Sequence, residues 1–347
     1  MRGLRKYLTP FAPDQSGAVS VLFELGGIVV ICDAGGCTGN VCGFDEPRWF
    51  EQKSAIFSAG LRDMDAILGR DDRLVAKLAD AAQKVDATFA AVIGTPVPAV
   101  IATDYLALKR MSEKKIKLPI LTVDTDGMEL YDKGEEKAFA ELFKTFATEK
   151  YPVEERKIGV LGMTPQDVSD LAAADKIRAL YQQKYGKQAV CYCMGDGLEE
   201  IREASSVSRN IVVSPAALMT AKYLEKTFGT PYEIHYPLVD ELIPDVDYTG
   251  KEVLIVHQQV IANSIRKELL KKGAKRVQIA SWFMMKKELL ADGDVLLRDE
   301  DAYIELVQNG DFDIIFADGC MERMIPEFKG IFVDTRHFAV SGKLIGK

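Results

Sequence analysis

Histidine is scarce in this sequence, with three in 347 residues. No Ser-His-Asp arrangement and no HExxH pattern is visible, which removes two familiar hydrolase signatures. Basic runs are missing as well. Lys and Arg number 44 against 52 Asp and Glu, a net charge of −8, so a nucleic-acid partner is not expected. Long apolar runs are absent. The longest near the start is Ile28-Val29-Val30-Ile31-Cys32, far short of the ~20 residues that span a bilayer, so no membrane partner is expected. The stretch Met1–Tyr7 has no apolar core ahead of Pro10 and Pro13, unlike a secretory signal, and the chain reads as cytoplasmic. There is no Walker A sequence, and Gly195-Asp196-Gly197 lacks the third glycine of a dinucleotide fingerprint. The chain does not read as an ATP or NAD enzyme in its own right.

What is present is a repeated alternation of short apolar strands and amphipathic helices. Hydrophobic residues make up 48% and charged residues 28%, as in a globular chain. Runs such as IVVI, FAAVI and DIIFA suit parallel strands covered by helices on both faces. Leu74, Val75, Leu78, Ala81, Ala82 and Val85 recur at helical spacing and predict a helix over Asp72–Val85. Helices are also expected over 97–112, 166–185 and 284–290. Polar, proline-bearing stretches at Thr148–Arg156 and Pro237–Thr249 divide the pattern. The expectation is an α/β chain of three Rossmann-like domains, 1–150, 151–245 and 246–347, with parallel sheets flanked by helices. In such sheets the ligand crevice lies beyond the carboxyl ends of the strands. Asp124, Asp126, Asp196 and His337 follow strands there and are candidate proton donors.

Six cysteines outnumber the histidines. Cytosolic thiols stay reduced, so close spacing there points to metal or redox chemistry rather than disulfides. Cys32, Cys37 and Cys42 form a C-x4-C-x4-C run with four glycines between Cys32 and Gly43. Thiolates are soft ligands, and the run lacks the C-x2-C pair of a structural zinc site. An iron–sulfur cluster is the better fit among metals, with ligands shared between subunits. The bland alternative is a buried strand-end Cys32 and free thiols at the others. Cys191 and Cys193 share one side of a strand and read as core. Cys320 follows a strand after Asp318-Gly319 and stands open between ligand and structural roles.

Several segments resemble one family. Gly27–Cys42, a strand followed by Asp33-Ala34-Gly35-Gly36-Cys37, resembles the strand and HGPxGC segment of nitrogenase component 1 subunits. Residues 63–74 (DMDAILGRDDRL) are similar to that family's DIVFGGEKKL stretch, and 90–104 (AAVIGTPVPAVIATD) to its TxCPxxLIGDD stretch. Gly195–Gly197 with Asn210–Pro237 resembles the pattern GDG … LNLV … M … YGIPW, and FDIIFADGC followed by GIFV is similar to PDIIIG … LGIP. The resemblance runs over nearly the whole chain in order. It implies three Rossmann-like domains around a central cleft and a cluster at a subunit interface, in a homodimer or a heterodimer with a related subunit. It also implies electrons supplied by an ATP-driven iron protein.

In this resemblance Cys37 takes the place of a cluster ligand, with Gly36 beside it. Thr95 stands where many members have a cysteine, and Cys32 or Cys42 would compensate. Ser214 stands where the nitrogenase alpha subunit holds its cofactor by cysteine, so an iron–molybdenum cofactor is not expected and a [4Fe–4S]-type cluster is. His337 falls near that subunit's cofactor histidine and becomes a pocket residue. The fourth ligand stays open among Cys320, another subunit, an acid and water. The implied activity is reduction of a small-molecule or tetrapyrrole-like substrate. The alternatives are a cluster or cofactor scaffold without turnover, and a metal-free small-molecule binder.

Overall fold

The computed structural model describes residues 5–51 and 54–346. The first four residues, part of the stretch read as unlike a secretory signal, lie outside it. Thirteen strands among the described residues form three wholly parallel sheets. The first contains β1 (Ile28–Ile31), β2 (Ala55–Ser58), β3 (Ala90–Ile93) and β4 (Ile120–Val123), in the order β2-β1-β3-β4. The second contains β5 (Lys157–Leu161), β6 (Gln188–Cys191), β7 (Asn210–Val212) and β8 (Tyr232–Ile234), in the order β6-β5-β7-β8. The third contains β9 (Glu252–Val256), β10 (Arg276–Ser281), β11 (Val295–Leu296), β12 (Ile314–Ala317) and β13 (Ile331–Asp334), in the order β11-β10-β9-β12-β13. The strand order reverses between β1 and β3, between β5 and β7, and between β9 and β12. Those reversals are where open α/β sheets place ligands.

Central strands such as β1, β3 and β12 are buried along their full length, as their unbroken apolar runs require. Alternation divides β1 between two cores. Val29 and Ile31 pack with the helices Asp14–Leu22 and Tyr131–Phe146, while Ile28 and Val30 pack with Leu74, Val75 and Leu78 of the helix Asp71–Lys84.

The helix Asp14–Leu22 is buried on every side. It crosses the helix Tyr131–Phe146 so closely that only glycine fits at two positions. A Cβ on Gly17 would lie 2.0 Å from the Tyr131 carbonyl oxygen, and one on Gly134 would lie 1.7 Å from that of Asp14. The Asp14 carboxylate accepts from the backbone N–H groups of Asp126 and Gly127, both at 2.8 Å, and so fixes the loop after β4.

Three expected helices come out differently. The one over 97–112 is two, Pro96–Val100 and Tyr105–Lys115, because Ala102 adopts a left-handed conformation (φ 53°) and Asp104 caps a new start through Ala107 N–H. The one over 166–185 is likewise two, Pro165–Val168 and Ala173–Tyr185, broken at left-handed Ser169. Over 284–290 only one 3₁₀ turn forms, Lys287–Leu289. No helix among the described residues is long and apolar enough to cross a membrane.

Candidate functional site

Loops that follow strands of all three sheets line one cleft of about 820 Å³. Asn40, Gly43, Phe44 and Asp45 come from the segment after β1, Gly127–Leu130 from the loop after β4, Gln166 from after β5, and Phe338–Gly342 from after β13. Gln166 ties two of these walls together by donating from Nε2 to the Asp45 carbonyl oxygen at 2.5 Å.

The cysteine segment rises from the first reversal point. After β1 the chain turns at Gly35 (φ 123°), a backbone only glycine adopts readily, and enters the short helix Gly36–Asn40. Val41–Asp45 continues with π-type hydrogen bonding, and Glu46 N–H donates to Val41 O at 2.9 Å. Such insertions recur at functional sites. Asp33 anchors the turn, accepting from Thr38 N–H (2.8 Å), the Thr38 hydroxyl (3.0 Å) and the Ser58 hydroxyl (2.6 Å). Cys37 and Cys42 are half-buried. Burial raises both thiols, and the Asp33 carboxylate raises them further, with Glu46 also acting on Cys42. Both are therefore thiols rather than thiolates until a cation offsets those acids. A Cβ added to Gly36, Gly39 or Gly43 would meet no atom within 4 Å.

The segment's far end is locked down. The guanidinium of wholly buried Arg48 donates to both oxygens of Glu46, to Glu24, to Ser20 O and to Cys193 O in the turn after β6.

Not all expected ligands meet. Cys32 points to the Ile28 and Val30 face of β1, among Ala59, Leu74 and Leu78, and burial pushes its thiol up to about 12. Cys37 packs on the opposite core, so the structure does not bring the two together. Cys320 lies in the 3₁₀ turn after β12, near Asp318, Arg323 and Lys343. Among the described residues no three His, Cys, Asp or Glu side chains converge as a metal site. Thr95 is buried beside the segment and donates to Cys32 O at 2.8 Å. Gly36 is exposed at the start of the short helix.

The other candidates separate. Asp126 accepts from Met128 and Glu129 N–H and shapes the cleft loop. Asp124 is exposed and pairs with Lys137. Asp196 is held by Arg178 at 2.7 Å and by Cys191 N–H, away from the residues that line the cleft. Ser214 is buried, caps the turn after β7 through Ala216 N–H, and alone of these has its side chain against buried Asp167.

His337 belongs to a buried polar node that sequence reasoning did not foresee. Its Nε2 lies 2.8 Å from the Tyr131 hydroxyl, which donates to Asp167 Oδ1 at 2.5 Å. Thr164 donates to Glu135 Oε1 at 2.5 Å, and the Glu135 and Asp167 carboxyls face one another within hydrogen-bonding reach. The His257 ring stacks on that of His337, with centroids 4.3 Å apart. Gln258 N–H donates to His257 Nδ1, which leaves Nε2–H to donate to Arg336 O and makes His257 neutral. Burial accordingly lowers His257 to about 4, and lowers His337 further with help from His257. Of this group His337 is a candidate from the sequence, both by its place after a strand and through the family resemblance, and Ser214 beside Asp167 is a candidate through the resemblance. Asp167 follows β5 with Thr164 as its helix cap, and that position after a strand was its one visible signal.

A family model described as nitrogenase component 1 type oxidoreductase matches residues 14–240, more than half of the chain. Two similar solved structures are described as nitrogenase Cp1 at pH 6.5 and at pH 5. The first has a TM-score of 0.71 at 12% identity, covering 96% of this chain and 87% of that one. The second has a TM-score of 0.70 at 15% identity, covering 96% and 84%. At such identities the likeness shows a shared fold. No curated protein matches the chain.

Proposed function

The chain belongs to the nitrogenase component 1 type oxidoreductases, and from that premise we propose that it is a reductase component carrying an iron–sulfur cluster at Cys37 and Cys42. Electrons would come from an ATP-driven iron protein, and a small-molecule or tetrapyrrole-like substrate would occupy the cleft beside that segment. The observation that carries this reading is the half-open pair of thiols on a glycine-bordered helix above the first sheet's reversal point, next to the cleft. Soft thiols there suit an iron–sulfur group, which when bound would accept and pass on single electrons. This chain supplies part of the ligand set, and a second subunit would supply the rest. Exposed apolar side chains on the segments after β1, β3 and β4 support such a cover: Phe44 is 77%, Val100 85% and Met128 82% exposed.

Within the chain, Asp33 sets the turn that presents Cys37, and Arg48 holds the end of the segment against the turn after β6. Asp14 holds the Asp126–Gly127 wall of the cleft. The test is iron and sulfide analysis after oxygen-free purification or reconstitution. Iron and sulfide bound by the wild type and lost in Cys37→Ala are expected, while a colourless, metal-free wild type refutes the reading. A scaffold without turnover is the second reading, favoured by His337 being bound to Tyr131 under the cleft wall. A reduced cluster that substrate fails to reoxidise would select it.

A further inference from the structure

One buried oxygen at the polar node, Glu135 Oε2, has no donor, while the Asp167 carboxyl that it faces takes the Tyr131 hydroxyl and stands beside that of Ser214. The Glu135 and Asp167 carboxyls are within hydrogen-bonding reach of each other. Two carboxylates cannot bond to one another, but a carboxylic acid and a carboxylate can, and one proton on Glu135 then satisfies its orphan oxygen. The remaining hydrogens follow in order. Tyr131 has one hydroxyl hydrogen, and Asp167 takes it. His337 Nε2, 2.8 Å from the same hydroxyl, must therefore be the N–H that donates to it. The chain runs from His337 N–H to the Tyr131 oxygen, from Tyr131 O–H to Asp167, and from Glu135 O–H to Asp167, with Thr164 donating to Glu135.

The participants come from all three sheets. Tyr131 and Glu135 lie on the helix after β4, Thr164 and Asp167 in the turn after β5, and His337 after β13. Three of them adjoin cleft residues directly, as Leu130 precedes Tyr131, Gln166 precedes Asp167 and Phe338 follows His337. We propose that a proton shared by Glu135 and Asp167 is a latch that joins the three sheets beneath the cleft, and that its loss loosens the cleft walls.

Burial and mutual repulsion hold the pair's ionisation well above the ordinary carboxyl range. The titratable groups facing it are Tyr131, Asp132, Cys193 and His337, and none brings a positive charge as placed. The folded pair thus keeps a proton that the unfolded chain releases near the ordinary glutamate value of 4.5. Stability from this source is full below that value and is lost as pH rises through the pair's folded pKa. Neutral His257 and His337 act oppositely and weaken the fold as pH falls below 6.5.

Glu135→Gln tests the latch, because its amide N–H can donate to Asp167 at any pH. Asp167→Asn is the mirror variant should the first fail to fold. The wild type should show the infrared carbonyl band of a buried carboxylic acid near neutral pH, and Glu135→Gln should lack it. As pH rises through the pair's raised folded pKa the wild-type melting temperature should fall, with ~10-fold faster intrinsic-corrected hydrogen exchange at 127–130 and 338–342. Either amide variant should flatten both trends. Absence of the band from the wild type, or an alkaline decline unchanged in the variant that folds, overturns the latch. Neither readout involves a cluster, so failure here is separate from failure of the reductase reading.

Discussion

Around Tyr131 the polar side chains are buried and find their partners inside the chain. Around Cys37 the thiols are half-exposed and the neighbouring glycines face open space. The first region is closed within the chain, and the second is open to its surroundings. Glycine separates them most clearly. At the crossing of helices Asp14–Leu22 and Tyr131–Phe146, the chain's own backbone forbids a side chain at Gly17 and Gly134. At Gly36 and Gly39 nothing in the chain does. A helix that keeps glycine without internal need forgoes about 0.5–1 kcal/mol per position relative to alanine. That loss is understandable where another body approaches the backbone closely.

The largest effect is expected where the regions are tied, at Arg48. Its replacement by methionine leaves Glu46 buried without its cation. Removing one partner of a buried pair costs about 3–5 kcal/mol, so Arg48→Met should lower the unfolding midpoint in denaturant by that equivalent. It should also speed hydrogen exchange along Val41–Phe50. Unchanged exchange there would mean that the cysteine segment stands without its anchor, and the division between closed and open regions would then begin earlier in the chain.

Next in size is Gly134→Ala. The new methyl would overlap the Asp14 carbonyl oxygen, and both atoms belong to packed helices. Overpacking of this kind costs about 1–3 kcal/mol even after the alanine's helical preference is counted. Because Asp14 also holds the N–H groups of Asp126 and Gly127, the cleft loop should lose protection together with the helices. A stability equal to the wild type would show that this crossing has slack and would weaken the contrast.

What the sequence makes legible follows the same line. IVVI and IIFA read as strands because helices cover both their faces, so the apolar run is unbroken. β2 escapes notice because it is an edge strand with only partial burial, and AIFS carries little pattern. The cysteine segment is legible because its spacing is local. What spacing does not disclose is that strand alternation carries Cys32 with Ile28 and Val30 onto a different core from Cys37. The node is illegible because Tyr131, Asp167 and His337 stand in three separate units and meet only when the sheets assemble. Hydrogen bonds among buried groups leave no periodic trace in the sequence.

The smallest effect is the most discriminating. Gly39 lies inside the short helix Gly36–Asn40, is exposed, and has a backbone conformation open to any residue. Gly39→Ala should therefore raise the stability of the isolated, cluster-free chain by ~0.5–1 kcal/mol, a melting shift of a few degrees at most. The same methyl would stand on the exposed side of the cysteine segment, two residues beyond Cys37. If that face receives a cluster or a second subunit, iron content and oligomer formation should fall while the isolated chain becomes more stable. That opposition of signs is what a partner-facing glycine predicts. A variant that gains stability and keeps its iron and its oligomeric state would show that nothing approaches Gly39. The open side of the cysteine segment would then be solvent-facing surface like any other.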